Sequence, residues 1–137
     1  MFKKILIANN GTEGTFKALA EALRLAHAHE SEAHMIYVEE NLASGSQEGR
    51  RDETLDRKFA ALVAKADAEA KRHSVKLTSH LVLGRPAPAI VDFLKSRGGF
   101  DLLVVGFKGH SALYHRILGK TVDRLIELAP CAVLVVK

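Results

Sequence analysis

Gly106-Phe107-Lys108-Gly109, followed after nine residues by Gly119-Lys120-Thr121, is the stretch whose residue types could do chemistry. It starts where the apolar run Leu102-Leu103-Val104-Val105 stops, and it ends where an amphipathic segment begins. Between Gly106 and Thr121 stand Lys108, Arg116 and Lys120, with His110 and His115, and no carboxylate. Glycine carries no Cβ, so its backbone N–H can approach a ligand closely. A helix start after such a loop offers unpaired donors and the positive end of a dipole. Cations without acids complete an anion site. We read the segment as the place where a nucleotide's phosphates sit. His110 can help hold them, and His115 reads equally well as a solvated loop residue.

Neighbouring motifs fit less well. A Walker A loop would need glycine where Tyr114 stands. A dinucleotide fingerprint should follow the first strand, and Asn10-Gly11-Thr12-Glu13-Gly14 does not supply it. A phosphoacceptor receiver domain needs acids after the first and third strands, where Asn9-Asn10 and Leu83-Gly84 stand. His27 and His29 lie two apart on a helix and so point to different faces. No metal cluster and no nucleophile–base pair can be read from spacing. Thr12, Ser111 and Thr121 are the nearby hydroxyls, with helix capping the stronger reading for Thr12. With no carboxylate close in sequence to position water, we expect nucleotide binding with hydrolysis slow or absent and no catalytic residue.

The elements that must position this loop alternate along the chain. Lys4 to Ala8 reads as a short buried strand closed by Asn9-Asn10-Gly11. Leu19, Ala22, Leu23 and Ala26 then recur at helical spacing. Ala33 to Val38 is a second strand, and the polar, glycine-bearing Glu40 to Arg51 is a loop. Glu39 to Arg57, with six acids against three basic residues, reads as a solvated loop and helix start, and closure over the nucleotide is its lesser reading. Leu55 to about Arg72 is an amphipathic helix, and Val75 to Leu83 alternates as a strand. Pro86 suits the first turn of a helix that Gly98-Gly99 ends. Leu102 to Val105 is the fourth strand; Val122, Leu125, Ile126 and Ala129 mark the last helix; Cys131 to Val136 is the fifth strand. This order predicts a three-layer, doubly wound parallel sheet with helices on both faces. Ligands bind such sheets beyond the C-terminal strand ends, where the winding switches direction. If the first and fourth strands are neighbours, the Asn10 and Gly106 loops face each other across one crevice.

Composition sets outer bounds. A chain of 137 residues with 47% hydrophobic content fits one globular domain over residues 1–137. Twenty basic residues against 16 acidic ones give a net charge of only +4, too small and scattered to argue for nucleic acid. No apolar run approaches the roughly 18 residues of a membrane span, and the N-terminal apolar block is too short for a signal peptide. The lone Cys131 excludes an internal disulfide, fits a reducing cytoplasm and reads as a small core residue.

The spacing Gly106-x2-Gly109-x9-Gly119 is similar to the nucleotide-binding signature of the universal stress protein family. Lys3 to Ala8 resembles that family's first strand, Gly84-Arg85-Pro86 with Ile90 the entry to its third helix, and Ala129 to Val136 its closing strand. The resemblance covers nearly the whole chain. It implies a five-stranded parallel sheet in the order 3-2-1-4-5, of the adenine nucleotide alpha hydrolase-like type. It implies ATP as ligand, with AMP or ADP as variants, and a homodimer formed through the strand Cys131–Val136. It puts the Val38 backbone on adenine and the phosphates at Gly106, Gly109 and Gly119; our reading of the residues adds Lys108, His110, Lys120 and Thr121 to the phosphates and sets Ala8, Asn9 and Asn10 beside the ribose and adenine.

Two residues depart from the family's pattern. Asn10 stands where ATP-binding members commonly carry Asp, and Lys120 where they commonly carry Ser or Thr, with the hydroxyl one step later at Thr121. Asn is a weaker Mg²⁺ ligand than a carboxylate. Lys120 would bring its charge to the helix start, in partial exchange for the metal. The expected role is a stress-response sensor that reports nucleotide state to a protein partner. The alternatives are a slow ATPase and an adaptor dimer that binds no nucleotide.

Overall fold

The computed structural model describes residues 1–40, 53–107 and 112–137, and for 112–119 the backbone alone. The elements run β1 (Lys4–Ala8), α1 (Glu13–His29), β2 (Glu32–Glu39), α2 (Glu53–Arg72), β3 (Leu77–Leu83), α3 (Pro86–Arg97), β4 (Leu102–Gly106), α4 (Ala112–Leu128) and β5 (Ala132–Val136). The strands form one sheet in the order β3-β2-β1-β4-β5, and every pairing is parallel. β1 pairs with β2 on one side and β4 on the other, so the winding reverses between β1 and β4.

The period-two alternation of each strand divides the core into two layers. Ile5 and Ile7 of β1 pack with Leu19, Leu23, Met35, Leu62 and Val104 under α1 and α2. Leu6 points the other way, with Ile36, Ile90, Leu94, Leu103 and Leu125 under α3 and α4. All residues of β4 are buried, which is why that strand is an unbroken apolar run.

Local signals set most boundaries. The Thr12 hydroxyl accepts the Thr15 N–H and caps α1, as expected from the sequence. Pro86 opens α3, and Gly98 closes it at φ 67°. β3 starts at Leu77, later than the Val75 expected from alternation. Val75 is used instead to finish α2: its N–H bonds Ala70 O at 2.9 Å, and Ser74, at φ 59°, donates to Lys71 O at 3.1 Å. That pair of bonds is the left-handed helix termination of a Schellman motif.

The largest correction concerns α4. The sequence reading starts this helix after Thr121, whereas it begins at Ala112. The apolar spacing Leu113–Ile117, Tyr114–Leu118 and Leu118–Val122 is already helical upstream of Gly119. A single interior glycine costs about 1 kcal/mol relative to alanine, too little to stop such a segment. Gly119, Lys120 and Thr121 therefore lie inside α4, and Lys120 is not at a helix start. The buried stripe runs through Val122 and Leu125 and leaves Ile126, assigned to that face from sequence, 55% exposed. Cys131 is half-buried rather than fully interior, and burial pushes its thiol up. None of the described helices is long and apolar enough to cross a membrane.

Candidate functional site

At the C-terminal ends of β1, β2 and β4 lies a cavity of about 290 Å³. Ala8, Asn9 and Asn10 line it from β1 and the following turn, Val38 from β2, Gly106 from β4 and Thr121 from α4. Ile90, Val122 and Leu125 give it an apolar wall from α3 and α4. The C-terminal ends of β1 and β4 thus face one crevice, because the two strands are hydrogen-bonded neighbours.

The turn after β1 is stiffened by its own side chains. Asn9 is 2% exposed. Its Oδ1 accepts the Gly11 N–H at 2.9 Å and the Thr15 hydroxyl at 2.7 Å, while its amide donates to the Met35 sulfur at 3.4 Å. Asn10 Oδ1 accepts the Thr12 N–H at 3.2 Å. Side-chain acceptors two residues before the donor define Asx turns, which suit asparagine here. Holding the loop is therefore a role that Asn10 shares with Asn9. Among the described residues no three His, Cys, Asp or Glu come together as metal ligands.

Gly106 is the last residue of β4, not the first of a loop. A Cβ there would stand 2.8 Å from Gly14 O and 3.3 Å from Thr15 Cα. Its first constraint is thus the approach of α1 to the sheet, which brings the first turn of that helix to the cavity's edge. Lys108, Gly109 and His110 lie outside the described residues, as do Ser111 and the loop from 41 to 52. Gly119 belongs to α4 through its backbone. Lys120 lines an adjoining groove rather than the cavity itself.

Sequence reasoning missed the polar rim at the end of β2. Tyr37, Glu39, Glu40 and Lys58 also line the cavity. The Tyr37 hydroxyl donates to Glu39 Oε2 at 2.7 Å, and Lys58 Nζ donates to Glu39 Oε1 at 3.4 Å. Burial, and then the bond to Glu39, push the Tyr37 phenol up. The bond to Tyr37 raises the Lys58 ammonium, with Glu39 adding to it. Both shifts favour a neutral phenol and a charged ammonium at neutral pH. The signal available in sequence was Glu39-Glu40 at a strand's C-terminal end. Lys58 comes from α2, and only the fold brings it there.

The sequence model of the universal stress protein family matches residues 1–137. This chain belongs to that family. It is 32% identical over 143 residues to a universal stress protein of Methanocaldococcus jannaschii, covering 100% of this chain and 83% of the relative. A Thermus aquaticus universal stress protein is 31% identical over 138 residues, with both chains covered to 100%. Among solved structures, a universal stress protein in complex with cAMP superposes with TM-score 0.79 at 20% identity, over 99% of this chain and 97% of that chain. The Archaeoglobus fulgidus universal stress protein in complex with dAMP gives 0.71 at 18% identity, over 100% and 98%. These likenesses show the universal stress protein fold.

Proposed function

We propose that this universal stress protein domain binds an adenine nucleotide in the cavity between the β1 and β4 connections. The observation that carries the reading is the convergence of Ala8, Asn9, Asn10, Val38, Gly106 and Thr121, chosen from sequence, on one open cavity. The adenine and ribose lie against the Val38 backbone, Ala8 and the asparagine turn. The phosphates run toward the Gly106–Thr121 segment, including Lys108, Gly109, His110 and Gly119. ATP is the ligand, with AMP and ADP as shorter variants. Relatives in complex with cAMP and dAMP support the ligand class. Asn10 in place of a carboxylate makes binding weakly dependent on Mg²⁺. The domain acts in the cytoplasm as a stress-response sensor that passes nucleotide state to a protein partner. A homodimer forms through Cys131–Val136, where the apolar β5 is an edge strand of the sheet among the described residues.

Slow hydrolysis is the second reading, favoured by Glu39 and Glu40 on the rim. A thermal-shift titration with ATP, AMP and cAMP tests binding. Ligand at about a hundredfold excess over Kd stabilises the native state by roughly 3 kcal/mol. No shift with any nucleotide, in protein that purifies free of adenine absorbance, refutes the reading and favours the adaptor dimer. Phosphate release from ATP that disappears in Glu40→Gln would establish the second one.

A further inference from the structure

Beside the cavity, and sharing Glu40, Pro86 and Thr121 with it, runs a groove of about 340 Å³ between the start of α3 and the middle of α4. Arg85, Lys120 and Arg124 line it, and Glu40 is the one carboxylate among its lining residues. Lys120 and Arg124 are one helical turn apart on α4, so their side chains rise from one face. Arg85 is the N-cap residue of α3 and makes no side-chain capping bond.

The arginines elsewhere are treated differently. Arg24 pairs with Glu21, Arg57 with Glu53 and Arg72 with Glu69, and Arg97 sits over the Phe93 ring. Among the described residues, no such partner stands against Arg85, Lys120 or Arg124. Three cations beside the one carboxylate of Glu40 leave the groove net positive, which favours an anion there. Backbone amides contribute little here. Pro86 and Pro88 carry no N–H, and the Ala89 N–H is bonded to Arg85 O at 2.9 Å. With Ala87 the one further first-turn residue in the lining, most donors are guanidinium and ammonium groups, which suit the oxygens of a phosphate chain.

We propose that this groove is a polyphosphate subsite in which Arg85, Lys120 and Arg124 grip the outer phosphates, so the protein selects nucleotides by the length of the phosphate chain. The proposal rests on the nucleotide reading above and deepens it. The first phosphate lies at Thr121, which both spaces share, and each further phosphate moves toward Arg85 and Arg124. Arg85 and Arg124 are specificity-determining residues and play no part in holding adenine.

Calorimetric titration of the intact protein with AMP, ATP and inorganic tripolyphosphate, without Mg²⁺, tests this. Wild type should bind ATP about tenfold or more tighter than AMP, the scale of one charge-assisted contact. It should also bind tripolyphosphate alone. Arg85→Ala with Arg124→Ala should bring ATP to the affinity of AMP, leave AMP unchanged and abolish tripolyphosphate binding. Lysine at both positions should restore part of the preference. Equal affinities for AMP and ATP in wild type overturn the subsite, as does a preference that survives the double substitution. Tripolyphosphate binding without any AMP or ATP binding upholds the groove and overturns the nucleotide reading instead.

Discussion

The two ends of the sheet use their polar residues in opposite ways. At the N-terminal end, on the α3 side, the polar groups satisfy one another. Asp101 accepts the Lys3 N–H at 2.8 Å and the Lys4 N–H at 3.1 Å, tying the start of β4 to the start of β1. Lys4 Nζ donates to Gly98 O at 3.2 Å. His34 Nε2 bonds Glu32 at 2.6 Å, and its Nδ1 faces His80 Nε2 at 2.9 Å under Phe93 and Phe100. At the C-terminal end the asparagine turn is internally bonded, but a cavity stays open beside it, and the adjoining groove gathers Arg85, Lys120 and Arg124 against the single carboxylate of Glu40. A polar cluster that closes on itself stabilises the fold. One left with uncompensated charge is set for a ligand. Composition does not separate the two ends, but pairing does.

The contrast can be broken first at Gly106. Replacing it with alanine forces a Cβ against the Gly14 carbonyl, 2.8 Å away. Overpacking against backbone should cost about 3 kcal/mol, seen as a lower urea midpoint, and should also deform the cavity edge. An alanine variant as stable as wild type would show that α1 can retreat from the sheet at no cost.

A smaller effect belongs to the opposite end. Asp101→Ala leaves the Lys3 and Lys4 amides without their acceptor and should cost about 1 kcal/mol, while the ATP-induced thermal shift stays as in wild type. Loss of the shift in this variant would mean that the two ends are coupled. Burial raises the Asp101 carboxyl, but the bonds from Lys3 and Lys4 outweigh it and hold the group below its ordinary value.

The smallest effect should come from His80, and it sharpens the comparison through pH. Burial, then the charges of His34, Arg97 and Lys4, lower its affinity for protons below the ordinary imidazole value of 6.5. Glu32 on β2 is the acid of the cluster, and the His34 bond holds it below its own ordinary value. Only one of the facing His34 and His80 nitrogens can carry the shared proton, so protonating both breaks that bond. The unfolded chain takes up the proton first, so stability is fully present above pH 6.5 and falls as pH drops toward the lowered folded value. His80→Gln should flatten this part of the stability–pH profile, measured by urea melts. An unchanged slope would assign the titration to another group.

How much of this was legible beforehand follows from which interactions are local. β1 has the bounds expected from its apolar run, and Thr12, Pro86 and Gly98 mark helix ends as capping chemistry requires. The strand order came from resemblance, and the cavity's place from the rule for parallel sheets. The start of α4 was missed because glycine and lysine at 119 and 120 were given more weight than the helical spacing already present in Leu113, Ile117 and Leu118.

The sequence by itself determined the alternation of elements, the two-sided burial of β4 and the nature of the loops that meet at the crevice, because these depend on side-chain periodicity and on residues adjacent in the chain. Tertiary structure alone decided which charges meet across elements, whereas Arg24–Glu21, Arg57–Glu53 and Arg72–Glu69 pair within single helices. Lys58 reaches Glu39 from another element, while Arg85 and Arg124 come from two helices to share one groove. Pairing across elements depends on distances between residues far apart in the chain, and only folding sets those distances.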